Sequence, residues 1–149
     1  MSEIIVRKAT EADISQIAAI ETDSFSDPWT ENALRSQLSQ ALVIFLAAEK
    51  NGKILGYMIG SQDGYSAFID NIATAGSARR QGVGTALMKA FFAELPERVR
   101  QAALEVRESN SAAQKLYSKF GFAPAGIRKN LYSSPRENGI VMVCEFQKD

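Results

Sequence analysis

Residues 68–95 constrain this chain more than any other stretch. They read Phe68-Ile69-Asp70-Asn71-Ile72-Ala73-Thr74, then Ala75-Gly76-Ser77-Ala78, then Arg79-Arg80-Gln81-Gly82-Val83-Gly84, and then an apolar-periodic run to Leu95. In physical terms this is a strand, a turn, a basic glycine-rich loop and a helix. The first-turn N–H groups of a helix have no intrahelical partner, and the helix dipole places partial positive charge beside them. Such an end is an anion site, and phosphate is its usual occupant. Gly82 and Gly84 carry no Cβ, so a ligand can approach the backbone closely. Arg79 and Arg80 add charge and planar donors matched to phosphate oxygens. A basic loop that merely caps a surface helix would have the same composition.

Spacing removes two phosphate-binding motifs. A P-loop requires Gly-x-x-x-x-Gly-Lys-Ser/Thr, and Val83 stands where its lysine belongs. A dinucleotide fingerprint requires Gly-x-Gly-x-x-Gly, and Leu87 occupies its third glycine position. What remains, Arg79-Arg80-Gln81-Gly82-Val83-Gly84, resembles the Arg/Gln-x-x-Gly-x-Gly/Ala signature of the GCN5-related N-acetyltransferases, the GNAT family. In that family the signature cradles the pyrophosphate of acetyl-CoA.

Composition narrows the chemistry. A chain of 149 residues with 46% hydrophobic and 23% charged residues reads as one ordinary globular domain, 1–149. Seventeen basic and seventeen acidic residues balance, so no broad nucleic-acid surface is expected. The opening Met1-Ser2-Glu3-Ile4 has no basic region followed by an apolar one, so no signal peptide is expected. No apolar run is long enough to span a bilayer. The lone Cys144 cannot form an internal disulfide and suits a reducing cytoplasm. Histidine is absent, which excludes His-based triads, His–zinc sites and a His general base. Acid–base work must therefore fall to Glu, Asp, Tyr, Lys or water.

Taken in order, residues 4–7 form a β-branched run that reads as an edge strand. Thr10-Glu11-Ala12-Asp13 resembles a capping box opening a helix that places Ile14, Ile17 and Ala18 on one face. Asp27-Pro28 breaks the chain, and Thr30 is the expected N-cap of a second helix, with Trp29 placed to staple onto Leu34. Strands are expected at 42–49, 54–61 and 66–74, the first pair joined by the hairpin signal Asn51-Gly52. Leu87, Ala90, Phe91 and Leu95 recur at helical spacing as core residues, and Pro96 ends that helix. A strand at 102–106 carries Glu105. A helix follows to Phe120, with Ser111 and Gln114 placed as a capping box and Gly121 as its stop. Strands at 122–132 and 140–146 flank a polar turn at 133–139.

A second motif lies in this last part. Asn110-x-x-Ala113-x-x-Leu116-Tyr117-x-x-x-Gly121-Phe122 resembles the second acetyl-CoA motif of the same family, in the usual order and at the usual distance from the glycine loop. Four further features make the chain similar to the RimI-type branch, the ribosomal-protein alanine N-acetyltransferases. They are Asp27-Pro28-Trp29-Thr30, Asn71-Ile72-Ala73, Leu104-Glu105-Val106-Arg107 with Ser109-Asn110, and Ile127-Arg128-Lys129-Asn130-x-Tyr132. The pattern departs at Glu137-Asn138-Gly139, where relatives usually carry Glu-Asp-Ala, and at Leu131, where they often carry a second aromatic. Both departures border the region implied to hold the acceptor.

The resemblance implies an α/β (α+β) GNAT fold. Its mixed, mostly antiparallel sheet would have about seven strands, flanked by about four helices, with a parallel strand pair splayed at the acetyl-CoA site. It implies acetyl-CoA as co-substrate, with no metal. The backbone of Ile72, Ala73 and Thr74 would pair with the pantetheine arm, one N–H there serving as oxyanion donor. Arg79, Arg80, Gln81, Gly82, Val83 and Gly84 would hold the pyrophosphate, and Asn110 and Tyr117 would also touch the cofactor. Trp29, Arg128 and Tyr132 would wall the acceptor site.

Glu105 reads two ways from the residues alone. A carboxylate inside an apolar strand is partly desolvated, which raises its pKa toward that of a useful base; equally, it could pair with a nearby arginine such as Arg107. The family match assigns it the role of base. Tyr117 is either a buried aromatic or the acid that protonates the leaving thiolate, and the family match favours the acid. Asn110 also suits a helix cap. Cys144 reads as a small core residue, and a covalent route through it would need an activating base, so direct attack in a ternary complex is expected.

The expected function is N-α-acetylation of a protein N-terminus, that of an N-terminal alanine on a small-subunit ribosomal protein. The expected enzyme is cytoplasmic, with no direct nucleic-acid or membrane partner, and is a monomer or weak dimer. Acetylation of a small-molecule amine (an amino acid, polyamine or drug) and non-catalytic binding of acetyl-CoA are the alternatives.

Overall fold

Strand alternation and the position of each helix stop determine how this chain layers. The structure, a computed structural model, describes residues 3–146. The first two residues of the opening segment lie outside them. The chain runs through β1 (Ile5–Lys8), a 3-10 turn at Glu11–Asp13, α1 (Ile14–Ser24), α2 (Glu31–Gln37), β2 (Val43–Lys50), β3 (Lys53–Gln62) and β4 (Ser66–Thr74). It continues through a 3-10 turn at Gly76–Ala78, α3 (Val83–Glu94), β5 (Gln101–Arg107), α4 (Ser111–Lys119), β6 (Ala123–Tyr132) and β7 (Glu137–Glu145). The strands form one mixed sheet in the order β1-β2-β3-β4-β5-β7-β6. Among the described residues only the β4–β5 pair is parallel.

Two apolar clusters cover the two faces of this sheet. On one face, α1 and α2 bury Ile14, Ile17, Ile20 and Leu34 against Phe45, Ala47, Tyr57, Ile59 and Ala73. On the other, α3 and α4 bury Leu87, Met88, Phe91 and Tyr117 against Leu46, Met58, Ile69, Leu104 and Met142. Each fully buried side chain of this size contributes ~1.5–3 kcal/mol. β3 is sealed on both faces, which is why its sequence is a continuous apolar run. In β5, Ala102, Leu104 and Val106 are buried in the α3–α4 cluster, so Glu105 and Arg107 emerge on the α1–α2 side.

Local chemistry explains the turns. Asn51 and Gly52 both take positive φ (54° and 78°), the conformation a tight hairpin demands. Thr30 caps α2 by accepting the Ala33 N–H at 3.1 Å. Thr10 and Asp13 form the anticipated capping box, the Asp13 carboxylate accepting the Thr10 N–H at 2.8 Å. Its other partner is Arg7, whose guanidinium donates at 2.7 and 2.9 Å.

Two expectations need correction. Asn110, not Ser111, caps α4, accepting the Ala113 N–H at 3.1 Å. Gln114 instead donates to the carbonyls of Arg107 and Glu108 at 3.1 and 3.0 Å. The last strand also begins earlier than the expected residue 140, because Glu137-Asn138-Gly139 belongs to β7. Those polar residues pair across a widened stretch of β6, where Arg128 faces Gly139 and Tyr132 faces Glu137. The Asn138 side chain fills the gap by accepting the Asn130 N–H at 3.0 Å.

Candidate active site

The parallel pair opens partway along. β4 and β5 pair from Ser66 with Gln101 to Ile69 with Leu104, and the ladder goes no further. Beyond that point β4 remains paired with β3 alone, through Asn71, Ile72, Ala73 and Thr74, while β5 remains paired with β7 through Glu105, Val106 and Arg107. A bulge at Asp70 marks the divergence: Ile59 faces Asn71 and Gly60 faces Ile69, leaving Asp70 unpaired. Bulges increase local twist, which turns the end of β4 away from β5. The result is a slot with the free backbone edge of residues 72–74 along one lip and Glu105 on the other.

The glycine loop stands at the end of the same strand. Arg79, Arg80, Gln81 and Gly82 are exposed, and Arg80 and Gly82 take positive φ (66° and 81°). Gly82 is the N-cap of α3 and offers no side chain to the first-turn donors. Those N–H groups therefore face outward beside two arginines, the arrangement that binds anions. The two glycines differ in purpose. A Cβ on Gly82 would meet open space, whereas one on Gly84 would lie 2.9 Å from Leu116 Cδ2. Gly84 thus makes room for α4 to pack, which locks the glycine loop to the helix that carries Tyr117.

Glu105 does not stand alone on its lip. It accepts from Arg128 Nη1 at 2.6 Å, so its arginine is Arg128 rather than Arg107. Arg107 has other work. It donates to Glu137 at 3.1 Å and to the carbonyls of Ser133 and Pro135, both at 3.0 Å, and its guanidinium lies 4.6 Å from the Tyr132 ring centre. A longer bond of 3.4 Å reaches Ser26 Oγ, on the α1–α2 connection. Glu137 in turn accepts the Ser109 N–H at 2.5 Å. These two contacts hold the Glu137 carboxyl below the usual range, with Ser109 the larger cause.

Tyr117 is 6% exposed and packs edge-on against Phe122 with ring centres 6.1 Å apart. Burial, and secondarily Tyr132, pushes its phenol well above the ordinary tyrosine value. Tyr132 is also raised, by burial first and then by the negative charge of Glu105. Cys144 is buried, its thiol pushed up by desolvation and donating to the Phe120 carbonyl at 3.3 Å, as an inert core thiol would. Asn110 spends its side-chain oxygen on the α4 cap, leaving its NH₂ group for other partners.

The comparisons with known proteins bear on this geometry. The family model described as "Acetyltransferase (GNAT) family" matches residues 14–122, most of the chain and all of the slot. The chain belongs to the GNAT family. It is an N-acetyltransferase, and among its relatives is a Bacillus subtilis (strain 168) protein, 37% identical over 142 residues, with 92% of each chain covered. That relative carries a provisional description as a ribosomal protein bS18-alanine N-acetyltransferase. The ribosomal protein bS18-alanine N-acetyltransferase of Escherichia coli (strain K12) is 36% identical over 126 residues, covering 83% of this chain and 84% of that one. The crystal structure of the E. coli ribosomal-protein-S18-alanine N-acetyltransferase superposes with a TM-score of 0.88 at 31% identity, covering 99% of this acetyltransferase and 96% of that chain. The GNAT fold expected from the motifs, parallel pair included, is the fold observed.

Sequence reading passed over one group near the slot. Glu21 on α1, Tyr57 on β3 and the Asn71 side chain on β4 form a buried polar knot on the α1–α2 side of the sheet. Its signal was available: Glu21 lies four residues after Ile17 and seven after Ile14, where the apolar face of α1 should continue.

Proposed function

We propose that this acetyltransferase moves the acetyl group of acetyl-CoA to the α-amine of a protein N-terminus, the acceptor being an N-terminal alanine on a small-subunit ribosomal protein. The observation that carries the reading is the opened β4–β5 ladder with a carboxylate on its lip. Relatives at 36% and 37% identity, described as ribosomal protein bS18-alanine N-acetyltransferases, support the acceptor class.

The residues present suit acetyl-CoA. Residues 72–74 offer unpaired backbone groups to the amides of a pantetheine arm, and the open end of α3 with Arg79 and Arg80 suits a pyrophosphate. When bound, acetyl-CoA supplies an activated acetyl thioester. A backbone N–H in 72–74 polarises its carbonyl. Glu105, held by Arg128, takes a proton from the acceptor ammonium, directly or through one water. Tyr117 keeps its proton at neutral pH and donates it to the departing sulfur. The amide of Asn110 steadies the cofactor from the start of α4. Trp29, Arg128 and Tyr132 line the approach of an extended peptide, and no histidine or cysteine is required.

Thiol release from acetyl-CoA tests the reading, using a short peptide beginning Ala-Arg against free amino acids and polyamines. Turnover with the peptide alone is expected. Turnover with small amines alone would move the acceptor to the small-molecule class, and tight acetyl-CoA binding without any turnover would replace the enzyme by a sensor.

A further inference from the structure

Glu21 is a carboxylate where a helix should present a hydrocarbon. It is 1% exposed, on the face of α1 that buries Ile14, Ile17 and Ile20. It also sits in the last turn of α1, where Phe25 N–H bonds back to its carbonyl and where negative charge opposes the helix dipole. Burial and dipole both cost stability, and an apolar residue of similar volume would avoid both costs. The contacts show what the carboxylate does instead. Oε1 accepts from the Tyr57 hydroxyl and from Asn71 Nδ2, the latter at 2.6 Å. Oε2 accepts the Trp29 N–H at 3.0 Å. One side chain therefore joins three separate segments: the connection between α1 and α2, the middle of the sheet, and the strand residue immediately before the open edge 72–74.

We propose that Glu21 is a positioning residue that fixes the α1–α2 connection, and through it Trp29, against the lip of the slot, so that acceptor affinity depends on a group that touches neither substrate. The inference rests on the reading of Trp29 as a wall of the acceptor site. Trp29 is 36% exposed, and its backbone is anchored by Glu21 on the protein side, so its indole projects from a fixed point rather than from a free loop. Asn71 ties the same carboxylate to β4 just after the bulge. The distance between the Trp29 wall and the cofactor strand is then set by hydrogen bonds to one carboxylate.

Steady-state kinetics of the full chain, with acetyl-CoA and a peptide beginning Ala-Arg, test this. Glu21→Gln replaces an acceptor with a donor and sets an NH₂ group against groups that themselves donate. The expected result is a rise of about tenfold in peptide KM, with kcat and the acetyl-CoA dissociation constant changed by less than about threefold. Tyr57→Phe removes one donor and leaves the other two bonds, so its KM rises by less. A merely structural role is separated by coupling: if Glu21 acts through Trp29, adding Glu21→Gln to Trp29→Ala raises KM no further. Should Glu21→Gln fail to fold, Asn71→Ala takes its place in the same cycle. Additive effects, a parallel loss of acetyl-CoA affinity, or an unchanged peptide KM in a folded variant would overturn the proposal. If Trp29→Ala itself leaves peptide KM unchanged, the acceptor-wall reading falls and takes this inference with it. If Trp29→Ala raises KM while Glu21→Gln does not, only the inference falls.

Discussion

In the proposed mechanism Glu105 takes the proton of the acceptor amine and Tyr117 gives one to the thiolate. Glu105 accepts from Arg128 at 2.6 Å on the rim of the slot, while burial raises the Tyr117 phenol and keeps it protonated at neutral pH. Glu105→Gln is expected to lower kcat by about a hundredfold or more, with acetyl-CoA affinity unchanged by calorimetry. A full rate at neutral pH would remove Glu105 as the base. Because burial raises the Tyr117 pKa, any fall in kcat from its ionisation belongs above the ordinary phenol value of about 10. The pH–rate profile of Tyr117→Phe against the parent checks that limb. Arg128, expected as an acceptor wall, also donates to Glu105, the proposed base, at 2.6 Å.

At the scale of elements, the β6–β7 hairpin shows how two departures from the family pattern answer each other. A Cβ on Gly139 would overlap Leu131 Cδ2 and lie 3.2 Å from Tyr132 Cε2. The glycine and the leucine therefore fit as a pair, the smaller backbone position admitting the aliphatic side chain. Gly139→Ala is expected to cost about 1–2 kcal/mol in denaturant unfolding, and Leu131→Ala in the same chain to recover most of that loss. Additive losses would show that the two residues do not compensate. Most element boundaries were legible because period-two and helical patterns are local: residues 66–74 were read as a strand and are β4. The start of β7 was not legible. Glu137, Asn138 and Gly139 look like a turn, and their strand geometry comes from Asn130 across the hairpin and from Arg107 and Ser109, which lie 30 and 28 positions from Glu137. The knot around Glu21 was hidden for the same reason, since its partners lie 8, 36 and 50 positions away.

At the scale of the molecule, charge pairs tie the edge of the sheet to the helices above it. Arg7 on β1 donates to Glu49 on β2 at 2.5 Å and twice to Asp13 at the entrance to α1. Arg7 holds the Asp13 carboxyl below the usual aspartate range. A depressed carboxylate stabilises the fold at pH values above its unfolded pKa, near 4, and that contribution is lost as pH falls through the lower folded value. Asp13→Asn is expected to cost about 2 kcal/mol at neutral pH and to flatten the acid limb of the stability curve below about pH 4, as urea titrations across pH would measure. An unchanged acid limb would assign the acid sensitivity to other carboxylates. Among the described residues no helix is long and apolar enough to cross a membrane. The sheet itself has a mechanical character that follows from its opened ladder. Among the described residues, four residue pairs, Ser66–Gln101 to Ile69–Leu104, and one backbone bond from the Arg100 N–H to the Tyr65 carbonyl at 3.3 Å form the strand seam between a plate of β1–β4 and a plate of β5, β7 and β6. Such a seam bends more easily than the sheet on either side of it. Any molecule laid along residues 72–74 and bonded to both lips would add rungs where the seam has none, and would stiffen the whole domain from its middle.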